Sequence, residues 1–397
     1  MKITFTLILT LACAFCSSVY AQVKPTPSPS PSPMIEISET DLRTKRVAIG
    51  ALPAKTEKEL EEAAKLMQEG RHTEAIAAWT NIIKTNPKLA IVFNNRGLSY
   101  LQLENLDLAI ADFNTVLKLS PMAITYNNRG MAFSKKGELE KALADFAKAI
   151  ELNPKESLAY NNRAEVYIKM NKFDLALADL NKAILLVPKE SLYLSNRCST
   201  LVRLKSFEAA LKDCNQAIEI NSKYAMTFLN RGLAYFGVSS LDAALEDFDT
   251  ALKLNPSFVH IHLDRGFLLN QLGRFEEAVE SFNKFINAFP NMAITYIHRA
   301  AAYDKIGKAD LELADYNKAI ELDPNNAVFY NNRGTFYLKK GDTTASLNDY
   351  SKAIELDPKL VIAYKNRAYL YNLLGEKEKA QADEKKAESL ENSPTKN

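Results

Sequence analysis

Arginine recurs at a fixed interval through most of this chain, and an aspartate follows most of the copies at a fixed distance. The arginines are Arg96, Arg129, Arg163, Arg197, Arg231, Arg265, Arg299, Arg333 and Arg367. Sixteen residues after all but one of them stand Asp112, Asp145, Asp179, Asp213, Asp247, Asp315, Asp349 and Asp383; Arg265 meets Ser281 instead. Partnered charge of this kind is normally structural. The pattern therefore predicts a row of ion pairs within the scaffold rather than free arginines that bind anions.

A second polar row stands immediately before the arginines. Its members are Asn95, Asn128, Asn162, Asn196, Asn230, Asp264, His298, Asn332 and Asn366. This position lies nearly opposite the apolar stripe of its helix, and a primary amide offers one acceptor and two donors to a peptide backbone. The row predicts a peptide-binding face. Two alternatives stay open, a solvated polar face that keeps a groove soluble and amides bonded to the neighbouring helix.

The row changes character where Asp264 and His298 replace asparagine. His260 lies four residues before Asp264 and therefore shares its helical face. These three residues predict a titratable patch that contacts a partner. They lack a recognisable metal-ligand spacing, so we expect no metal site here.

The elements that position these rows are helical hairpins repeated along the chain. The interval between successive arginines is 33 residues once and 34 thereafter, and a period of this size indicates a repeat array. In residues 126–154, apolar or small residues follow the spacing of one helical stripe. Gly137 suits a helix C-terminus, and Pro154 ends a second helix. Each copy therefore predicts two antiparallel helices joined by a tight turn.

These copies resemble tetratricopeptide repeats. The family pattern of aromatic, small, aromatic, Gly, Ala, aromatic, Ala and Pro maps onto Tyr126, Gly130, Phe133, Gly137, Ala142, Phe146, Ala149 and Pro154. The resemblance covers about residues 57–390 and implies an all-α, right-handed superhelical solenoid of about ten helix-turn-helix repeats, in which the first helices line a concave groove. Departures are local: Glu104, Asn171, Lys205 and Ser239 stand in the slot of Gly137, and Glu312 and Ser346 in that of Ala142.

Two cysteines, Cys198 and Cys214, take the slots of Gly130 and Phe146 in the fifth copy. Those slots face each other across one hairpin. The pair predicts a disulfide, which oxidising compartments maintain. The alternative is volume compensation between two free thiols.

The first 56 residues differ in composition from the repeats. Residues 1–21 combine a basic start, an apolar run and small residues, which predicts a signal peptide cleaved after Ala21 and export to the periplasm or the medium. An uncleaved anchor and a lipidated cysteine near residue 13 or 16 are the alternatives. Residues 22–56 contain KPTPSPSPSP and predict a disordered linker. The array is expected over residues 57–391, with a frayed tail at 392–397.

The functional expectation is a non-catalytic, exported scaffold of bacterial type that binds an extended peptide or a partner protein in its groove. We find no nucleophile elbow, phosphate-binding loop or zinc motif, so we expect no enzyme and no cofactor. A formal charge of +2 disfavours a nucleic-acid partner, and we expect no membrane insertion of the mature chain. The alternatives are a structural spacer or oligomerisation module that uses the convex surface, and, less favoured, a metal-dependent or enzyme-associated factor.

Overall fold

The computed structural model describes residues 52–392, and these form twenty α-helices in ten consecutive hairpins. The first helices of the hairpins are α1 Ala54–Gln68, α3 Ala90–Gln102, α5 Ala123–Lys136, α7 Ser157–Lys169, α9 Ser191–Arg203, α11 Ala225–Gly237, α13 Ile261–Gln271, α15 Ala293–Lys305, α17 Ala327–Lys339 and α19 Val361–Leu373. The second helices are α2 His72–Thr85, α4 Leu106–Leu119, α6 Leu139–Leu152, α8 Phe173–Leu186, α10 Phe207–Ile220, α12 Leu241–Leu254, α14 Phe275–Ala288, α16 Ala309–Leu322, α18 Thr343–Leu356 and α20 Lys377–Glu391. The described residues contain no strand. The predicted all-α array of about ten hairpins is confirmed.

The hairpin formed by α5 and α6 shows how the repeated residues build each copy. Ala142, Phe146 and Ala149 of the second helix are buried, because they share one stripe of the helix. Phe146 lies against the backbone of Gly130, where an added Cβ would stand 2.8 Å from the ring. Glycine at this slot therefore lets an aromatic ring fill the space between the two helices.

The turn between the two helices uses a left-handed residue. Gly137 follows α5 with a φ of 84°, and the next N–H, that of Glu138, donates to the Phe133 carbonyl at 2.9 Å. This is the Schellman arrangement that satisfies the last carbonyls of a helix. Four other copies keep the same conformation without glycine, at Glu104, Asn171, Lys205 and Ser239.

The described residues divide into two compact units, 52–254 and 255–392. The first contains six hairpins and the second contains four. Helix α1 begins at Ala54, before the expected start at residue 57, because the Pro53 carbonyl accepts the N–H of Thr56 at 2.8 Å and that of Glu57 at 3.1 Å. The last helix buries only Ala380, Asp383 and Ala387.

The predicted signal peptide, most of the predicted linker (22–51) and the last five residues lie outside the described part of the chain. Between residues 52 and 392, no helix is long and apolar enough to cross a membrane.

Candidate functional site

The arginine row forms the predicted ion pairs, and each pair joins the two helices of one hairpin. Arg129 donates from Nε to Asp145 Oδ2 at 2.7 Å and from Nη2 to Asp145 Oδ1 at 2.6 Å. The same two-pronged contact occurs at the other seven copies that keep the aspartate. The hydrogen bond to Asp145 raises the pKa of Arg129. Charge-assisted bidentate pairs of this kind fix geometry strongly, and the prediction of a structural row is confirmed.

Seven arginines also contact the hairpin before their own, which the sequence analysis missed. Arg129 Nη1 donates to Asn114 Oδ1 at 2.6 Å. The equivalent acceptors are Thr80, Asn181, Asn215, Asn283, Asn317 and Ser351. The sequence contains a signal for this bond, because a short polar residue stands about sixteen positions before each of these seven arginines. Each such guanidinium therefore links one hairpin to the next.

The seventh copy departs from this pattern as its sequence predicts. Arg265 donates from Nη1 to Ser281 Oγ at 2.6 Å. Its charge contributes to lowering the pKa of Glu277 and Glu280, although Arg274 and Lys284 have the larger effect. The charge of Arg265 therefore reaches two carboxylates on the surface of α14.

The asparagine row lies deeper than the sequence analysis placed it. Asn95, Asn128, Asn162, Asn196 and Asn230 are buried in the unit 52–254, and in the unit 255–392 Asn332 and Asn366 are half-buried. The alternative of a solvated polar face is wrong for the five buried positions. A single helical wheel misplaces them because the neighbouring hairpin covers part of the face opposite the stripe.

Four members of the row donate a hydrogen bond to the preceding first helix. Asn162 Nδ2 donates to Asn127 Oδ1 at 2.9 Å, and Asn196 Nδ2 donates to Asn161 Oδ1 at 2.9 Å. The equivalent bonds are Asn128 to Asn94 at 3.4 Å and Asn366 to Asn331 at 2.9 Å. The bond to a neighbouring helix, one of the two alternatives, is thus present at these copies. In each case the acceptor is the asparagine immediately before the row residue of the preceding copy. This second asparagine is the sequence signal that could have shown the bond.

Asn230 differs from the others because the residue before the row in the preceding copy is Ser195, whose hydroxyl accepts from Thr227 at 2.9 Å. Asn230 Nδ2 is buried and donates to no atom of the described chain. Asn128 Oδ1 is likewise buried and accepts no hydrogen bond there. Buried polar atoms are nearly always paired, so these two amides each leave one donor or acceptor for another group.

His298 is a core residue, and this corrects its assignment to a titratable patch. Its ring lies 4.0 Å from that of Phe267, centroid to centroid, and stacks on Phe282 at 6.4 Å. Burial lowers the pKa of His298 to about 3, so the side chain stays neutral near neutral pH. Burial, together with the charge of His262, lowers the pKa of His260 to about 4.

Asp264 is buried on α13. Among residues 52–392, no group of three or more His, Cys, Asp or Glu side chains could hold a metal ion.

The structure joins Cys198 and Cys214 in a disulfide between α9 and α10, with their Cα atoms 5.5 Å apart. Both residues are fully buried. The bond occupies the space that Gly130 and the ring of Phe146 fill in the third hairpin. A covalent link therefore replaces a glycine–aromatic contact in this copy.

Models of the tetratricopeptide repeat match the chain over most of the array. They match residues 90–122, 123–156 and 157–190, then 229–293, 271–327, 315–348 and 334–375. These ranges cover more than half of the chain, which belongs to the tetratricopeptide repeat family. Among curated protein sequences, none matches this chain.

Several solved structures are similar to parts of the chain. A tetratricopeptide repeat protein from Parabacteroides merdae is 25% identical and covers 62% of this chain and 98% of its own, with a TM-score of 0.44. PilF of Pseudomonas aeruginosa is 20% identical, covers 51% and 92%, and has a TM-score of 0.47. YrrB, described as a tetratricopeptide repeat protein with an unusual peptide-binding site, is 22% identical, covers 49% and 98%, and has a TM-score of 0.39.

Proposed function

We propose that this protein is an exported, non-catalytic scaffold that holds an extended peptide or a partner segment along its first helices. Proteins of this family bind protein or peptide partners. The observation that carries the proposal is the pair of unsatisfied amide atoms in one row, Asn128 Oδ1 and Asn230 Nδ2. Both atoms are buried in the ligand-free chain, so a peptide reaches them only when the side chains that cover them move. An acceptor and a donor at equivalent positions suit the N–H and C=O groups of a peptide backbone.

The row is held in a fixed orientation by the scaffold, which favours recognition. Asn162 and Asn196 donate to the preceding helix, and this leaves their remaining polar atoms pointing in directions set by the packing. Groups that are already ordered lose less entropy when a ligand binds. The binding face therefore combines a rigid framework with the few amide atoms that the framework leaves unused.

The proposal of export rests on the predicted signal peptide in residues 1–21 and on the cysteine pair. Disulfides persist in secreted and periplasmic proteins and are rare in the cytosol. The Cys198–Cys214 bond is consistent with such a compartment. Sequencing the N-terminus of the protein recovered from the producing cells tests this part, with Gln22 expected as the first residue; an intact N-terminus on the recovered protein would refute cleavage.

The alternative function is a structural spacer or oligomerisation module that uses the convex surface. Exposed leucines on the second helices support it. Leu108, Leu175 and Leu311 occupy the third position of α4, α8 and α16 and are 51%, 49% and 48% exposed. Leu185, also on α8, is 72% exposed. Exposed leucines such as these would suit contact with another protein.

A capture experiment separates the two surfaces. Tagged full-length protein would be used as bait in an extracytoplasmic extract of the producing cells, beside three variants. Asn230→Ala removes an amide without a described hydrogen bond, Asn162→Ala removes a structural bond, and Leu185→Ser alters the convex surface. Circular dichroism and thermal melting first establish how well each variant folds.

We expect Asn230→Ala to lose the partner while its melting temperature stays unchanged. Asn162→Ala should lower the melting temperature, because a buried hydrogen bond is removed. A partner retained by Asn230→Ala and lost by Leu185→Ser would refute the proposal and favour the convex surface.

A further inference from the structure

Three consecutive first helices carry a basic residue at the same position near their C-terminal ends. The residues are Lys135 on α5, Lys169 on α7 and Arg203 on α9, each six positions after the arginine of its copy. All three are exposed. We call these three residues the basic column. It ends at Gln102 and Gly237, which occupy the position in the adjoining copies.

Lys169 of the column contacts a neutral group on the preceding first helix. Lys169 Nζ donates to the hydroxyl of Ser134, on the preceding first helix, at 3.1 Å. The equivalent lysine of the other unit, Lys339, reaches back in the same way but finds Asp304, whose two carboxylate oxygens are both 3.0 Å from its Nζ. Equivalent lysines therefore have different partners in the two units. Lys339 forms an ion pair with a carboxylate, whereas Lys169 donates to a neutral hydroxyl.

The surroundings of Lys169 disfavour its charged form and lower its pKa. The surrounding protein lowers the pKa of Lys169, the nearby charge of Lys135 lowers it further, and only Glu165 opposes this. Glu165 is already engaged as an acceptor, because its Oε1 atom receives Asn161 at 3.1 Å and Asn196 at 3.2 Å.

The carboxylate that pairs with Lys135 is weakly placed. Glu104 lies 3.8 Å from Lys135, and its side chain is 80% exposed. Exposed pairs at this distance contribute little and are screened by salt. Lys135 and Lys169 are thus neighbouring like charges that one anionic group from outside the chain would relieve.

We propose that the basic column recognises acidic side chains of the extended partner, which makes that partner an acidic peptide segment. This inference rests on the proposed function. First helices of consecutive hairpins are neighbours, as the bond from Asn162 to Asn127 shows, and neighbouring helix axes lie about 10 Å apart. A chain in the extended polyproline II conformation has three residues per turn and advances about 3.1 Å per residue. Side chains at every third position then lie on one side about 9 Å apart, and acidic residues there would meet successive members of the column.

A peptide fits these observations better than a nucleic acid does. The column contains three residues, and the formal charge of the whole chain is only +2, whereas nucleic-acid sites are strongly basic.

Fluorescence anisotropy with synthetic peptides tests the inference on the full-length protein. The probe is a fluorescein-labelled twelve-residue peptide in which Glu-Ser-Gly is repeated four times. A peptide of the same composition with its four glutamates adjacent serves as the register control, and one with lysine in place of glutamate serves as the charge control. Binding is measured at low and at physiological salt.

We expect the repeating peptide to bind, the lysine peptide not to bind, and the clustered peptide to bind more weakly. Lys135→Ser and Lys169→Ser should each raise the dissociation constant about fivefold at low salt, the upper range for one exposed ion pair. Ser134→Asp should have a similar effect without removing any lysine, because it recreates the closed pair of Lys339 and Asp304. Lys339→Ser is the matched control and should leave the affinity unchanged.

Unchanged affinity in the Ser134→Asp and Lys169→Ser variants would overturn the proposal. So would tighter binding of a labelled oligodeoxythymidine than of the glutamate peptide, which would indicate a nucleic-acid partner. Failure of this experiment leaves the proposed function intact if Asn230→Ala still loses its captured partner, so the two conclusions fail separately.

Discussion

Replacing Glu312 by alanine should stabilise the unit 255–392 at alkaline pH and have little effect in acid. Glu312 is buried on α16, at a slot where most copies carry a fully buried alanine. Burial, with the charge of Asp304, raises its pKa to about 7, against the smaller opposing effects of Lys339, Lys340 and a hydrogen bond from Tyr316. The folded protein thus holds a proton on Glu312 that the unfolded chain releases in weak acid.

The sign of the effect follows from proton linkage. The folded pKa of about 7 exceeds the ordinary value of 4.5, so the folded state binds more protons than the unfolded state between these two values. Stability must then fall as the pH rises through that window. At about 1.4 kcal/mol per pKa unit the penalty would approach about 3.5 kcal/mol; we expect about 2 kcal/mol, because solvent close to the side chain screens its charge.

Thermal melting and amide hydrogen exchange at pH 4.5 and pH 8 would measure this penalty. The wild-type protein should lose protection in α15 and α16 between the two values, and Glu312→Ala and Glu312→Gln should lose less. Ser346→Ala alters the same slot of the next hairpin without a titrating group and should give a pH-independent change. Parallel losses in the wild type and in Glu312→Gln would show that Glu312 does not carry the pH dependence.

Three further predictions concern the scaffold. Lys205→Gly should raise stability by about 1 kcal/mol, because Lys205 adopts a φ of 57°; chemical denaturation tests this, and an unchanged midpoint would contradict it. Arg129→Ala should lower the free energy of unfolding by about 3 kcal/mol, because it leaves a buried carboxylate unpaired. Arg163→Ala should lower it by about 1 kcal/mol less, because Arg163 makes no hydrogen bond to the preceding hairpin. If Arg163→Ala had the lower denaturation midpoint, the role of Arg129 in linking hairpins would be refuted. Reducing the Cys198–Cys214 bond, which spans 16 residues, should lower the free energy of unfolding by about 3 kcal/mol in the chain-entropy model. Thermal melting with and without reductant measures this loss, and free thiols in the native protein would exclude the bond.

The sequence was sufficient for the hairpins and for the contacts within one hairpin. The contact of Phe146 with Gly130 follows from an offset that recurs in five copies, and that of Arg129 with Asp145 from one that recurs in eight. A contact inside one copy repeats at a constant separation, and this makes it visible in a single sequence. The left-handed turn at Lys205 also follows, since the copies with glycine at that slot define the backbone that the others must adopt.

Contacts between copies were harder to predict, because each depends on two residues whose offset is unrelated to the period of one helix. Asn162 appears exposed when only its own helix is considered, yet Asn127 of the preceding copy accepts its hydrogen bond. His298 was misplaced for the same reason, since its packing against Phe267 of the preceding copy is invisible to the helical wheel of α15. In a repeat array, burial is set by neighbouring hairpins as much as by the amphipathic pattern of each helix.

Differences between equivalent positions separate scaffold from surface. Arginine and aspartate occur together in eight of the ten hairpins, because the bond between them joins the two helices of one hairpin. Position 134 and its equivalent 304 hold serine and aspartate, and the lysine of the following copy reaches both in the same way. The aspartate neutralises its lysine, and the serine does not. Such a substitution can be selected for what binds outside the chain, and this is the physical reason to seek the partner of the unit 52–254 among acidic segments.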